Sequence, residues 1–193
     1  HTNFGRPMFK NNAWLTDFER GLQFCYKIGG VDDIMHDSSS MDGFGFFNKN
    51  KRILYCRLWN DQERQLATHK KIFILEAVGL FITFYINKRY LRNSKINMIG
   101  DNEKLVQAFH KCGSKDHIVN NIVRAMILIL SNMGIQINLD RDKFDVSLCS
   151  SGENGGADAL SHNNLEAFEA YAHNQLQGAT FTRLSSSDPI VKE

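Results

Sequence analysis

Gly152-Glu153-Asn154-Gly155-Gly156-Ala157-Asp158-Ala159-Leu160-Ser161 puts a glycine-rich loop directly before a helix, and the helix opens on a single acid, Asp158. The helical pattern runs from Ala157 to about Leu176. An acid in that position can simply cap the helix. It can also be held at the end of an apolar element for chemistry, since desolvation makes a carboxylate expensive unless something compensates it. Three other acids share the placement. Asp37 follows Ile34-Met35-His36, Glu76 is the only acid in the apolar run from about Lys70 to Asn87, and Asp101 follows the short strand Lys95–Gly100. They lie tens of residues apart, so only a fold brings them together. Asp32, Asp33 and Asp42 read as solvated turn acids.

Periodicity lays out the elements around these acids. Asn12 can cap a helix to about Ile28, with Trp14, Phe18, Leu22 and Cys25 on one face and Gly29-Gly30 ending it. The stretch from Ile34 leads through Asp37 and a serine run to Gly43-Phe44-Gly45-Phe46-Phe47. Asn48 to Lys51 is a polar turn, and Arg52 to Trp59 alternates as a strand does, so a hairpin pair is expected. The segment 70–87 carries a helical stripe, and Lys88 to Ser94 is a basic connector. Helices are expected from Glu103 to Phe109 and from His117 to Met133, a strand from Ile135 to Leu139, and a polar loop over 140–156. A hairpin block followed by alternating helices and strands predicts an α/β fold with a mixed sheet flanked by helices. Residues 31–176 form the domain. Residues 1–30 are an extension with one helix, and 177–193 a flexible, serine-rich tail.

Composition narrows the classes. With 193 residues, 42% hydrophobic and 23% charged, the chain can bury a core. Lys+Arg 23 against Asp+Glu 21 gives +2, so any polyanion must be held by a local patch and not by the overall field. Apolar runs are broken before they could span a bilayer, and no secretory signal pattern opens the sequence. Cys25, Cys56, Cys112 and Cys149 are scattered without a CxxC pair and read as reduced thiols. An intracellular protein, cytoplasmic or nuclear, without a membrane partner is expected.

The acids fall within motifs that resemble one family. Asp37-Ser38-Ser39 followed by Gly43-x-Gly45 resembles the D-x-S…G-x-G first strand of retroelement ribonuclease H domains. His69-Lys70-Lys71…Leu75-Glu76-Ala77 resembles their H-x-N…E-L-x-A helix. Asp101-Asn102 with Val106-Gln107-Ala108-Phe109 resembles the D-N-x-x-A helix start. The segment 152–161 resembles the G-x-x-N-x-x-A-D-x-L-S-R ending and is the most specific of the four. The resemblance covers roughly residues 31–165 and is nearest to the reverse-transcriptase-linked domains of DIRS-type or gypsy-like retrotransposons.

That resemblance implies a ribonuclease H-like fold with a five-stranded mixed sheet. It implies cleavage of the RNA strand of an RNA–DNA hybrid, with Asp37, Glu76, Asp101 and Asp158 holding two Mg²⁺ (or Mn²⁺) ions. Hard oxygen ligands suit such cations. Ser38, Ser39, Asn102 and Lys115 are the candidate substrate contacts. The implied partners are the hybrid itself and the reverse transcriptase domain of the same polyprotein, or a host protein. The sequence also departs from the family. Leu148 stands where many relatives carry a histidine, His162 replaces an arginine after Ser161, and His36 replaces a threonine before the first acid. These departures leave open an alternative, a weak or inactive module of the same fold that binds protein or nucleic acid.

Overall fold

The computed structural model describes residues 31–66, 72–135 and 143–192. The expected amino-terminal helix, the triplet His69–Lys71 and all but the first residue of the expected strand 135–139 lie outside these residues.

Three strands open the described chain: β1 (Val31–Ser38), β2 (Gly43–Asn48) and β3 (Ile53–Leu58). They form an antiparallel meander, with Asp37 opposite Gly45 and Phe46 opposite Tyr55. Asn48 Oδ1 accepts from the Asn50 and Lys51 amides and sets the turn between β2 and β3. A short helix α1 (Asp61–Leu66) and the long apolar α2 (Ile72–Asn87) follow. A 3₁₀ turn, Lys88–Arg92, leads into β4 (Lys95–Gly100). β4 runs parallel to β1, with Met35 beside Ile99.

Beyond β4 come α3 (Glu103–His110) and α4 (His117–Asn132), capped by Asn102 and Asp116. Next is β5 (Phe144–Leu148), parallel to β4. The carboxy-terminal part holds α5 (Gly155–Ser161), α6 (Leu165–Gln175), the two-residue β6 (Thr182–Arg183) parallel to β3, and α7 (Pro189–Lys192). The sheet order is β5-β4-β1-β2-β3-β6.

The mixed sheet flanked by helices is the architecture that the sequence implies. Successive side chains of a strand point to opposite faces, so the central strands bury both. Ile34, Phe44, Phe46, Ile96, Met98 and Phe144 pack beneath α2, α3 and α4. Met35, Phe47, Leu54 and Cys56 pack beneath α5 and α6 through Ala157, Leu160, Phe168 and Ala172.

Four expectations are corrected. The stretch read as a polar loop holds β5, where Phe144 and Val146 point into the core and Asp145 and Ser147 do not. Its single-period alternation is hidden by polar flanks. The helix read as continuous from Ala157 to Leu176 is two helices. Asn163 takes a positive φ of 54° and the Asn164 side chain accepts from the Ala167 amide, which ends one helix and starts the next. Among the described residues the sheet has six strands and not five, because residues 182–183 return along β3 and bury Leu184. Asp32 is no solvated turn acid: it is 1% exposed on β1, where Ser94 Oγ donates to it at 2.8 Å and Lys51 Nζ lies 3.7 Å away.

Candidate metal centre

β1 and β4 are parallel neighbours, so both carry their next residue to the same edge of the sheet. The register Met35 beside Ile99, continued by two residues, sets Asp37 next to Asp101. The carboxyl ends of adjacent parallel strands are where open α/β sheets gather functional groups. Glu76 arrives from the other direction, on the second turn of α2, which packs across β1.

Two glycines allow the required approach. A Cβ on Gly79 would lie 2.3 Å from Ser38 Oγ, so its absence lets α2 close onto β1 one turn after Glu76. A Cβ on Gly45 would lie 2.3 Å from Leu160 Cβ, so its absence lets α5 settle over the β1–β2 pair beside Asp37. Ser38 Oγ donates to the Leu75 carbonyl at 3.3 Å and ties the end of β1 to the turn that carries Glu76.

The result is a carboxylate cluster. Asp37, Glu76 and Asp101 each present a ligand oxygen, and these oxygens lie within 4.8 Å of one another. Asp37 and Glu76 are buried and Asp101 is partly exposed. Among the described residues, none of the three is ion-paired with a lysine, arginine or histidine. At 4.8 Å and an effective dielectric of ~20, each ionised pair repels by roughly 3 kcal/mol.

The protonation equilibria carry the strain. Burial first, then the Asp101 and Asp158 charges, push Asp37 up to about 6, against the opposing pull of a hydrogen bond from Ser161. Burial, then Asp37 and Asp101, holds Glu76 well above the usual carboxylate range. The donor set therefore fits a hard divalent cation. It offers oxygen ligands of concentrated negative charge, two of them already desolvated, with no cation among the described residues paired to them.

Asp158 sits at the rim. It lies in the first turn of α5, its side chain is 63% exposed, and its charge reaches Asp37. The loop before it is pinned by Asn154, which is buried and donates through Nδ2 to the His36 carbonyl at 3.2 Å. Three of the four acids thus converge, and the fourth lies on α5, where its charge acts on Asp37.

The candidate substrate contacts are placed differently from one another. Ser38 and Ser39 are buried. Ser39 Oγ donates to Asp42 Oδ2 at 3.3 Å and accepts from the Asp42 amide at 3.2 Å, while the Ser39 carbonyl takes the Trp59 indole N–H at 2.8 Å. Asn102, next to Asp101, spends its carboxamide oxygen on the Leu105 amide at 3.2 Å. Lys115 is exposed in the connection between α3 and α4.

One pair was not visible in the sequence. His162 Nδ1 meets Asp42 Oδ2 at 2.6 Å, joining the turn after β1 to the end of α5. Leu148, at the expected histidine position, is the half-exposed last residue of β5.

No protein-family model matches the chain, and no match is found among curated proteins. Among solved structures the chain is similar to the RNase H1 of the halophilic archaeon Halobacterium salinarum NRC-1. Sequence identity is 11%, the match covers 70% of this chain and 96% of that one, and the TM-score is 0.45. No helix among the described residues is long and apolar enough to cross a membrane.

Proposed function

We propose that the chain is a metal-dependent endonuclease of the ribonuclease H class, cleaving the RNA strand of RNA–DNA hybrids within a retroelement reverse transcriptase. The observation that carries this reading is the meeting of Asp37, Glu76 and Asp101 from β1, α2 and the end of β4, with no compensating cation among the described residues. The motif resemblance around all four acids, GENGGADALS above all, supplies the reaction class.

In this reading the three converging carboxylates hold a divalent ion, and Asp158, on α5, completes the site for a second. The bound ions, Mg²⁺ or Mn²⁺, would supply a water of lowered pKa and neutralise charge on the leaving oxygen. The protein's part is to fix ligand positions. Ser38 locks β1 to α2, Ser161 lies within hydrogen-bonding reach of Asp37, and Asn154 anchors the loop that delivers Asp158. Backbone and 2′-hydroxyl recognition would dominate hybrid binding, so sequence preference is weak. Lys115 is exposed for phosphate contact, and Asn102 can offer its Nδ2–H₂ while its oxygen caps α3. A reverse transcriptase domain of the same polyprotein, or a host protein, is the partner in this setting.

The test is cleavage of a labelled RNA–DNA hybrid by the full chain in Mg²⁺ or Mn²⁺, beside Asp101→Asn. The RNA strand is cut by the wild type. The variant should lose more activity than the ~10–100-fold that loss of an outer metal partner costs. One observation favours a second reading, a non-cleaving module of the same fold: neither Leu148 nor the loop 149–154 that follows it supplies a histidine. Hybrid binding without cleavage, in a protein of undiminished stability, selects it.

A further inference from the structure

The end of the sheet away from the carboxylate cluster carries the opposite charge. The strand register sets Val31 beside Lys95 and Asn48 beside Ile53, so the starts of β1 and β4 and the β2–β3 turn, residues 49–52, share that end. Ser94 Oγ donates to Asp32 and Lys51 Nζ lies over the Tyr90 ring, which brings the 3₁₀ turn Lys88–Arg92 there too. From Asp32 to Asp37 along β1 is roughly 16 Å at ~3.3 Å per residue.

Lys51, Lys88, Arg89 and Arg92 gather at this end, held on aromatic rings. Lys51 Nζ and the Arg89 guanidinium each lie 5.1 Å from the centre of the Tyr90 ring, and Lys88 Nζ lies 3.4 Å from the centre of the Tyr85 ring. Arg89 also donates to Tyr90 Oη at 3.3 Å. The ring quadrupoles attract the cations and narrow the range of their long side chains. Little offsets the gathered charge. Lys51 has the buried Asp32 at 3.7 Å. Among the described residues, no carboxylate lies within ion-pairing distance of Lys88, Arg89 or Arg92. On a chain of formal charge +2 this is a local concentration and not a share of a generally basic surface.

Guanidinium and ammonium groups side by side match a row of phosphates. A guanidinium fork takes two phosphate oxygens at once, and an ammonium acts as a point charge beside it. An anionic membrane would need apolar side chains to enter it beside the cations, and Leu91, the aliphatic residue of the 3₁₀ turn, is buried. We propose that this patch binds the sugar–phosphate backbone of a nucleic acid, without reading its bases. Lying at the far end of β1, it engages a stretch of strand other than one held at the acids, and it needs no metal. It is therefore separable from the nuclease reading.

The test is fluorescence anisotropy of a labelled single-stranded DNA and a labelled RNA–DNA hybrid with the full chain in EDTA, across a salt series. The logarithm of wild-type affinity should fall linearly with the logarithm of salt concentration. The triple variant Lys88→Gln, Arg89→Gln, Arg92→Gln should bind more weakly and lose roughly 2–3 from that slope, and Arg89→Gln alone ~0.7–0.9, the value of one phosphate contact. Arg89 and Arg92 are exposed and Lys88 partly so, so melting temperatures should stay near that of the wild type. Unchanged affinity and slope in both variants overturn the proposal. So does equal weakening by Lys104→Gln, Lys111→Gln, Arg124→Gln, exposed cations of α3, its C-cap and α4, which would mean a diffuse field. Wild-type binding to phosphatidylserine vesicles with none to either nucleic acid overturns it as well. Patch-dependent binding without cleavage in Mg²⁺ or Mn²⁺ removes the nuclease reading alone, and cleavage with binding unchanged in the triple variant removes this proposal alone.

Discussion

Asp37 and Glu76 are the residues whose energetics reveal the site. Asp37 titrates at about 6 in the folded chain, against 3.8 for an ordinary aspartate. Between about pH 4 and pH 6 the folded, metal-free protein holds a proton that the unfolded chain has released. Stability therefore falls as pH rises through that window, by up to about 3 kcal/mol from Asp37, and Glu76 acts in the same direction. Asp37→Asn should accordingly stabilise the metal-free protein at neutral pH and change little at pH 4, in denaturant melts at the two values. A variant less stable than wild type at neutral pH would show that Asp37 is a structural hydrogen-bonding group first. A bound divalent cation must reverse the slope, because it replaces those protons. The melting temperature should rise more with Mg²⁺ at pH 7 than at pH 5.

At the scale of elements, the site depends on how closely α2 and α5 approach the β1–β2 pair. Gly79→Ala forces a methyl into Ser38 Oγ, and Gly45→Ala forces one into Leu160. Overpacking of this kind costs typically ~1–3 kcal/mol. Gly45→Ala should sit at the upper end, because its neighbours include the Leu160 backbone, whereas Ser38 Oγ can rotate. Thermal melts of the two variants check the order, and equal, negligible losses would show that the helices stand further from the sheet.

The acids were legible as ends of apolar elements, β3, α2 and α4 were legible from their periods, and β2 was legible as the hairpin partner of β3. What was not legible is instructive. β5 contributes only Phe144 and Val146 to the core between polar neighbours, so its signal is two residues long. The break between α5 and α6 turns on Asn163 and Asn164, ordinary polar residues within a helical pattern until their backbone angles are seen. The Asp42–His162 contact joins residues 120 positions apart, and no local pattern announces such a pair.

For the whole molecule, the resemblance ends near residue 165 but the fold does not. Residues 182–184 extend the sheet beside β3, with the Thr182 and Leu184 amides donating to Arg52 and Leu54 at 2.8 Å and Leu184 at 6% exposure. Leu184→Ala should cost about 2–5 kcal/mol, so removal of residues 177–193 should lower stability well beyond the effect of losing a free tail. An unchanged melting temperature in the truncated chain would restore the tail reading.

The proposed cation site requires acids from separate elements to act as one. Calorimetric titration of Mg²⁺ and Mn²⁺ into the full chain and into Asp101→Asn at neutral pH tests this most directly. It predicts saturable binding with proton release by the wild type and its loss in the variant; a wild type that binds neither ion, or a variant that binds both unchanged, contradicts it.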